Sequence, residues 1–469
     1  MRNETTQLRR GLNARHIRFM ALGSAIGTGL FYGSAGAIQL AGPAVLLAYL
    51  VGGAAVFMVM RALGEMAVHQ PVSGSFGHYA SHYLGPLAGF LTGWTYTFEM
   101  VIVALADVTA FGIYMGLWFP DVAQWVWVLS IILFIGALNL CSVKVFGELE
   151  FWLSLVKVAA IVAMIVGGAA VMLFGFGQAQ HATGISNLWQ HGGFMPNGIG
   201  GVVASLAVVM FAFGGIEIIG ITASEAKDPA KVLPKAINAI PARIIVFYVC
   251  SMLTIIAVTS WSHISPDSSP FVMLFDRAGL PAAAAVINFV VLTSAMSSAN
   301  SGVYSSTRML YSLSMEKHAH GQFRILSRTT AIPIRSLLFS CFCMVAGTLL
   351  LVLVPNVMTL FTIVSTVAAI LVVYSWGMIL VAYLVYRQKR PDLNAASHFK
   401  MPGGVAMAWL TLAFFAFTLV LMVFDSDTLI ALCSMPLWFT TLGLIWRYRV
   451  RDSVARESYV FYRRGAEAE

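Results

Sequence analysis

The chain is dominated by long apolar runs that are separated by short charged or Pro/Gly-containing segments. A helix needs about 20 consecutive apolar residues to cross the hydrocarbon layer of a bilayer, and about twelve runs approach or exceed that length. They are residues 17–38, 43–67, 87–118, 124–142, 152–174, 198–223, 240–261, 282–312, 334–354, 357–386, 405–424 and 428–447. The pattern predicts an all-α membrane protein with about twelve transmembrane helices, in which residues 17–447 form one transmembrane domain.

The composition excludes a water-soluble protein. Of the 469 residues, 59% are hydrophobic and 10% are charged, whereas soluble domains carry about 25% charged residues. The formal net charge is +8, but the basic residues lie between apolar runs and not on one face of a soluble core. We therefore expect the lipid bilayer as the solvent of this chain, and neither a nucleic-acid partner nor an obligate protein partner.

The basic residues predict the orientation in the membrane, because cytoplasmic loops retain Lys and Arg. Most of the 28 Lys and Arg residues fall in the two tails and in alternate loops, and the opposite loops carry mainly acids. Residues 1–16 and 448–469 are therefore predicted to be cytoplasmic tails. No cleavage site follows the first run, so no cleaved signal peptide is expected.

Two of the runs contain residues that interrupt a helix. Residues 23–29 read Gly-Ser-Ala-Ile-Gly-Thr-Gly, and residues 211–217 read Phe-Ala-Phe-Gly-Gly-Ile-Glu. They lie in the first and sixth runs, which a five-plus-five inverted repeat pairs. Broken helices free amides that suit a carboxylate and carbonyls that suit an ammonium, and together these describe an α-amino acid. The alternative is that the glycines only permit close helix packing.

Four ionisable residues within the runs are functional candidates, because each is costly in the bilayer. Glu217, beside a Gly pair, is either a proton carrier or gate partner, or only an acceptor of helix-end hydrogen bonds. Lys157 either snorkels from the start of the fifth run to the interface or lies buried near the first and eighth helices and exchanges a proton. Glu99 and Asp107 lie about 80° apart on one helix, with structural and functional roles equally open.

Weaker patterns complete the inventory. The eighth run is rich in Ser and Thr, including Ser298, which either line an aqueous path or bond to their own helix. Arg61 and Glu65 are spaced as a helical ion pair. His78 and His82 lack a third metal ligand nearby, so no metal site is expected. No nucleotide-binding loop is present, and the chain is expected to be neither an enzyme nor dependent on a cofactor.

With these residues in view, the chain resembles the amino acid permeases of the amino acid–polyamine–organocation superfamily, in the bacterial amino acid transporter branch. The resemblance covers nearly the whole chain, and its most specific segments are residues 16–31, 41–66, 213–217 and 225–229. Within the branch, the chain is most similar to the proline-specific and histidine permeases of proteobacteria. The resemblance implies a five-plus-five repeat with broken helices 1 and 6. Helices 1, 2, 6 and 7 then rock against helices 3, 4, 8 and 9, with helices 11 and 12 outside the repeat.

The resemblance also implies roles for individual residues. The first break holds the substrate carboxylate, carbonyls of the sixth break hold the amino group, and Phe211 or Phe213 closes over the substrate. Lys157 and Glu217 are linked to the coupled proton. Apart from the resemblance, Glu99, Asp107 and Ser298 are candidates for residues that support the site from behind. The substrate-binding residues are then Ser24, Ala25, Ile26, Gly27, Thr28, Gly29, Phe211, Ala212, Phe213, Gly214 and Glu217.

The sequence thus predicts a secondary active transporter that imports an amino acid with a proton across the bacterial inner membrane, the substrate being histidine or proline. Two alternatives remain. One is an amino acid exchanger of the same fold, and the other is an amino acid sensor or channel-like protein without coupled transport.

Overall fold

The computed structural model describes residues 12–24, 26–174, 184–265, 268–277, 279–349, 357–424 and 426–454. Ala25 and most of both predicted tails lie outside these residues. The described secondary structure is helical, and the one β-type contact is an isolated bridge between Leu12 and Ala226. The prediction of an all-α protein is confirmed.

The helices are numbered in chain order. They are α1 (Ala14–Gly23), α2 (Thr28–Phe31), α3 (Ser34–Ala41), α4 (Val45–His69), α5 (Ser75–Leu84), α6 (Pro86–Gly116), α7 (Gln124–Asn139), α8 (Val143–Phe174), α9 (Asn187–Gln190), α10 (Gly198–Phe213), α11 (Ile218–Thr222), α12 (Pro229–Asn238), α13 (Ile240–Arg243), α14 (Ser251–Val258), α15 (Pro270–Arg277), α16 (Pro281–Met315), α17 (Ile334–Thr348), α18 (Val357–Lys389), α19 (Pro391–Ala396), α20 (Gly404–Leu421) and α21 (Ser426–Ile445). A π-helix, Ile244–Cys250, joins α13 to α14.

Most of the described residues of the twelve predicted runs are helical. Among the described residues, 8 helical stretches are long and apolar enough to cross a membrane, and α7 and α17 are shorter apolar helices. The start of the fifth span differs from the prediction, because α8 begins at Val143 and not at residue 152. Lys144, Glu148 and Glu150 made its first turns read as a loop, although Glu150 is fully buried.

The two broken spans lie at the centre of the bundle. The first span consists of α1, α2 and α3, and the sixth consists of α10 and α11. Helix α1 packs on α8, α3 packs on α10, and α2 contacts both α10 and α16. The long helices α6, α16 and α18 enclose the breaks, since α6 packs along both of the others. Both interruptions are thus surrounded by helices and shielded from lipid, as irregular backbone at membrane depth requires.

A buried ion pair closes one end of this bundle. Glu225, at the end of the sixth span, accepts hydrogen bonds from Arg308 Nε at 3.0 Å and from Tyr304 at 2.9 Å, both on α16. The backbone of Leu12 also pairs with this segment, because its N–H donates to Glu225 O at 3.2 Å. The starting residues of the first span, the end of the sixth span and α16 are therefore held together here.

We expect the Arg308→Met variant to be strongly destabilised, because it leaves the Glu225 carboxylate buried without its cation. Breaking a buried pair by removing one partner costs about 3–5 kcal/mol, and Arg308 and Glu225 are 3% and 1% exposed. Thermal unfolding in detergent checks this. The double variant Arg308→Met/Glu225→Gln should recover part of the loss, and a single variant as stable as the wild type would contradict the expectation.

The predicted ion pair between Arg61 and Glu65 is wrong. Arg61 donates to Asn238 Oδ1 at 2.6 Å and stacks on the Phe399 ring, 3.9 Å from its centroid. Glu65 is fully buried and accepts from Tyr383 at 3.1 Å and from the N–H of Met401 at 2.8 Å. Helical spacing predicted the pair, but segments distant in the chain offer each side chain a better-placed partner.

Candidate functional site

The break in the first span is held by a lysine. Helix α1 ends at Gly23 and the helix resumes at Thr28, so the carbonyls of Gly23 and Ile26 need partners from outside their own span. Lys157 Nζ donates to Gly23 O at 2.8 Å and to Ile26 O at 3.0 Å. Ser294 on α16 also donates to Ile26 O, at 2.9 Å. The opened turn is therefore satisfied from two neighbouring helices.

Lys157 is fully buried, so the snorkelling interpretation is wrong. The reason is the true start of α8 at Val143, which places Lys157 deep in the helix and not near its end. At that depth its ammonium cannot reach the interface, and it contacts the break in the first span.

The break in the sixth span depends on a glycine and an acid. Helix α10 ends at Phe213 and α11 begins at Ile218. Gly215 has φ 93°, in the region that favours glycine. Its N–H donates to Glu217 Oε1 at 3.2 Å, and Trp376 Nε1 on α18 donates to Glu217 Oε2 at 3.2 Å. Glu217 thus accepts a hydrogen bond from the break and links the sixth span to α18.

The two broken spans touch through glycine. A Cβ atom added at Gly29 would lie 2.5 Å from the Cα of Ala212, and one at Gly215 would lie 3.0 Å from Ser24 O. On the other side, a Cβ at Gly27 would meet Ser298 Oγ at 2.8 Å. These positions leave no room for a side chain, so the backbones of both breaks face each other directly. These glycines therefore have the packing role that the sequence left open as an alternative.

The side chain of Asp107 contacts the first residue of α2. Thr28 Oγ1 donates to Asp107 Oδ1 at 2.6 Å, across from α6. Asp107 is 1% exposed, and it interacts electrostatically with Lys157. Of the two acids predicted on the inner face of α6, this one therefore joins the first break.

The other acid on α6, Glu99, reaches a different part of the core. It is fully buried and accepts a short hydrogen bond on Oε2 from the hydroxyl of Ser375 on α18. Ser375 immediately precedes Trp376, the partner of Glu217. Glu99 and Asp107 therefore serve different neighbourhoods, although both line the inner face of one helix.

Sequence reasoning missed Glu150. It is fully buried, and it accepts from Ser297 Oγ at 2.7 Å and from Asn300 Nδ2 at 2.6 Å. Asn139 on α7 donates in turn to Asn300 Oδ1 at 2.7 Å. Glu150 and Lys157 lie two turns apart on one helix face. This spacing was the available signal, because a span that starts at Val143 contains both residues.

The hydroxyl residues of α16 divide between the two interpretations. Thr293, Ser306 and Thr307 donate to carbonyls of their own helix. Ser294 and Ser297 instead donate to Ile26 O and to Glu150. The face of α16 that meets the first break is therefore the polar one.

A small cavity lies between the two breaks. Its volume is about 10 Å³, which is room for about one water molecule. No charged side chain contributes to its lining, which consists of Ser24, Met100, Val103, Gly214, Gly215, Ile218, Ser298, Ser301, Gly302 and Ser305. The hydroxyl of Ser24 is buried without a hydrogen-bond partner in the described structure. The site is contracted, and a molecule larger than water could enter only if the breaks separate.

Aromatic rings lie on the other side of the sixth break. Phe211 packs edge-on against Phe361, with centroids 6.1 Å apart, and Phe361 packs against Tyr32 of the first span at 4.8 Å. Phe213 packs instead on Tyr248, at 4.6 Å, away from the first span. Of the two predicted closing rings, Phe211 is the one joined by ring contacts to the first span.

A second, larger cavity has a volume of about 580 Å³. Phe211 is part of its lining, but the cavity lies between α10, α18 and α20 and is mostly apolar. Of the hydroxyls in its lining, those of Ser365, Thr418 and Thr428 already donate to nearby carbonyls. It lacks the buried ionisable groups that surround the breaks, so the smaller cavity is the candidate substrate site.

The carbonyls predicted to hold an amino group have partners within the protein. Phe211 O accepts from the N–H of Gly214 at 3.0 Å, and Ala212 O accepts from the hydroxyl of Tyr248 at 3.1 Å. A carbonyl oxygen has two lone pairs, so each retains a position for a second donor.

Comparisons with known proteins agree on one group. The family model described as "Amino acid permease" matches residues 16–458. The "D-serine/D-alanine/glycine transporter" of Escherichia coli (strain K12) is 49% identical, over 94% of both chains. From Bacillus subtilis (strain 168), the "Uncharacterized amino acid permease YtnA" is 46% identical over 95% of this chain and 96% of the relative. The "Amino-acid permease AapA" of the same strain is 44% identical over the same shares.

Proposed function

The chain belongs to the amino acid permease family, and from that premise we propose that it imports a small, uncharged α-amino acid together with a proton. The observation that carries this proposal is the pair of helix breaks that meet at a small cavity, with Gly29 against Ala212 and Gly215 against Ser24. Polar backbone at membrane depth can serve a ligand with a carboxylate and an ammonium group.

The lining of the cavity supports a substrate with a small side chain. Most of the described residues in its lining are glycines and serines, and none of them is charged. Relatives are named for D-serine, D-alanine and glycine. Of the two amino acids predicted from sequence, proline is the better fit, because histidine needs a wider pocket and a polar partner. The candidate substrates are therefore glycine, alanine, serine and proline.

Buried ionisable groups support the coupling to protons. Lys157 is a cation with no access to solvent, and it interacts electrostatically with Glu150 and Asp107. A change in the protonation of Lys157 would alter its hold on the Gly23 and Ile26 carbonyls, which connects a proton to the shape of the break. One charge that moves down 100 mV supplies about 2.3 kcal/mol.

We further propose the bacterial inner membrane as the location, with both termini cytoplasmic, from the distribution of Lys and Arg along the chain. In that orientation the Glu225–Arg308 pair closes the cytoplasmic side, and the rings of Phe211, Phe361 and Tyr32 close the opposite side.

Uptake into proteoliposomes tests the function. Labelled glycine, D-alanine, D-serine, L-proline and L-histidine are supplied one at a time, with and without an inward proton gradient. We expect gradient-stimulated accumulation of a small substrate and little uptake of histidine. Uptake that ignores the gradient but requires preloaded amino acid would instead indicate an exchanger. Binding with no uptake would favour a sensor.

A further inference from the structure

The core around the breaks holds more acids than cations. Glu99, Asp107, Glu150 and Glu217 are each 0–1% exposed. Lys157 interacts electrostatically with Asp107 and Glu150, which leaves Glu99 and Glu217. None of the ion pairs formed by described residues includes either of these two acids. Two buried carboxylates without a counter-ion are costly, so their charge must be balanced in another way.

Glu99 and Glu217 accept hydrogen bonds from consecutive residues of α18. Ser375 donates to Glu99 Oε2, and Trp376 Nε1 donates to Glu217 Oε2 at 3.2 Å. The two carboxyl groups are close enough to interact electrostatically. Glu99 lies on α6 and Glu217 lies in the break of the sixth span. Both acids therefore contact the same part of a third span, α18.

One oxygen of this pair lacks a donor. Both oxygens of Glu217 accept hydrogen bonds, Oε1 from the N–H of Gly215 and Oε2 from Trp376. Glu99 Oε1 has no hydrogen-bond partner within the described part of the chain. A buried acceptor without a hydrogen-bond donor is destabilising, and a proton on this group would remove the charge and supply a donor.

Among the described residues, the groups that face the pair include no cation. Tyr96, one turn before Glu99 on α6, is a neutral titratable group beside Glu217. Helix α18 contributes Ser375 and Trp376. On α16 the nearest cation, Arg308, is bound to Glu225, and on α8 Lys157 lies with Glu150 and Asp107.

We propose that Glu99 and Glu217 act as one proton-binding unit, in which the two carboxyl groups hold a single proton in common while the substrate site is closed. Neighbouring carboxyl groups that cannot both ionise titrate as a pair. The proposal gives Glu99, until now only a supporting residue, a direct part in proton binding. Only the use of that proton in transport rests on the proposed function, because proton binding itself needs no substrate.

The test is an infrared titration of the protein in lipid nanodiscs without substrate, which follows the C=O stretch of protonated carboxyl groups. The variants are Glu99→Gln and Glu217→Gln. We expect at least one variant to move the titration of the remaining carboxyl group by about one pH unit or more, because it removes the neighbour whose charge affects that titration. Titrations that neither variant moves would overturn the proposal.

Two further variants keep the test decisive. Glu150→Gln removes another buried acid, which already has donors in Ser297 and Asn300, and it should leave the titration of the pair unchanged. Ser375→Ala keeps both carboxyl groups but removes the donor to Glu99, and it should shift the same infrared band. An unshifted band in Ser375→Ala would count against the proposal even if the glutamate variants failed to fold.

Uptake measurements separate this proposal from the proposed function. A coupled pair titration in a protein that transports no amino acid would refute the function and leave the pair intact. In an active protein, Glu99→Gln should change the pH dependence of uptake. If it lowers uptake equally at every pH, Glu99 only packs in the core and the proposal fails.

Discussion

The Lys157→Ala variant is expected to lose gradient-driven accumulation of substrate completely. Lys157 is the buried cation at the first break, and its ammonium holds the carbonyls of Gly23 and Ile26. An alanine can neither carry a proton nor satisfy those carbonyls. The measurement is accumulation of labelled substrate in proteoliposomes under an inward proton gradient.

A cation elsewhere on the same helix provides the matched control. Lys144 lies in the first turn of α8 and is exposed, so Lys144→Ala should accumulate substrate as the wild type does. Counterflow, which exchanges labelled for unlabelled substrate without a gradient, separates two roles of Lys157. Retained counterflow in Lys157→Ala indicates proton coupling, and lost counterflow indicates that the lysine shapes the site. Normal accumulation would remove Lys157 from the mechanism.

Replacing Gly29 with alanine is expected to lower uptake at least about tenfold. The new Cβ would lie 2.5 Å from the Cα of Ala212 and 3.1 Å from its backbone nitrogen. Neither atom can move unless α2 and α10 separate, and overpacking of this kind costs about 1–3 kcal/mol. A tenfold change in rate corresponds to about 1.4 kcal/mol. Initial uptake rates, corrected for the amount of folded protein, check this.

Gly36 offers the comparison within the same span. It also lies in a helix, α3, but a Cβ there would meet nothing within 4 Å. Gly36→Ala should therefore leave uptake unchanged. Equal losses in both variants would mean that any methyl group in the first span is harmful, and that the approach of Gly29 to Ala212 has no special role.

The positions of the broken spans could be predicted from sequence because the signal is local. Glycines and hydroxyl residues within a long apolar run mark an opened turn, and residues 23–29 and 211–217 contain the observed breaks. The start of α8 could not be placed in the same way. Its first turns carry Lys144, Glu148 and Glu150, and only their partners on other helices decide which of them the protein buries.

Contacts between segments that are distant in the chain could not be predicted from the sequence, because they also depend on partners on other helices. Glu225 and Arg308 are 83 residues apart, and Ser375 and Glu99 are 276 apart. Helical spacing favoured a pair between Arg61 and Glu65 because neighbours along a helix are the only contacts that one sequence reveals. The lining of the cavity comes from several spans, so the choice between substrates also needed the assembled fold.

The position of Lys157 at the first break has a consequence for how the protein depends on dissolved salt. A metal ion between the same two carbonyls would have to be drawn from solution, and its occupancy would fall in dilute media. Lys157 is covalently tethered, so its ammonium has full occupancy at any ionic strength and cannot diffuse away. It can change state only by giving up a proton. Under the proposed function, uptake should therefore depend on acidity and not on the sodium supply.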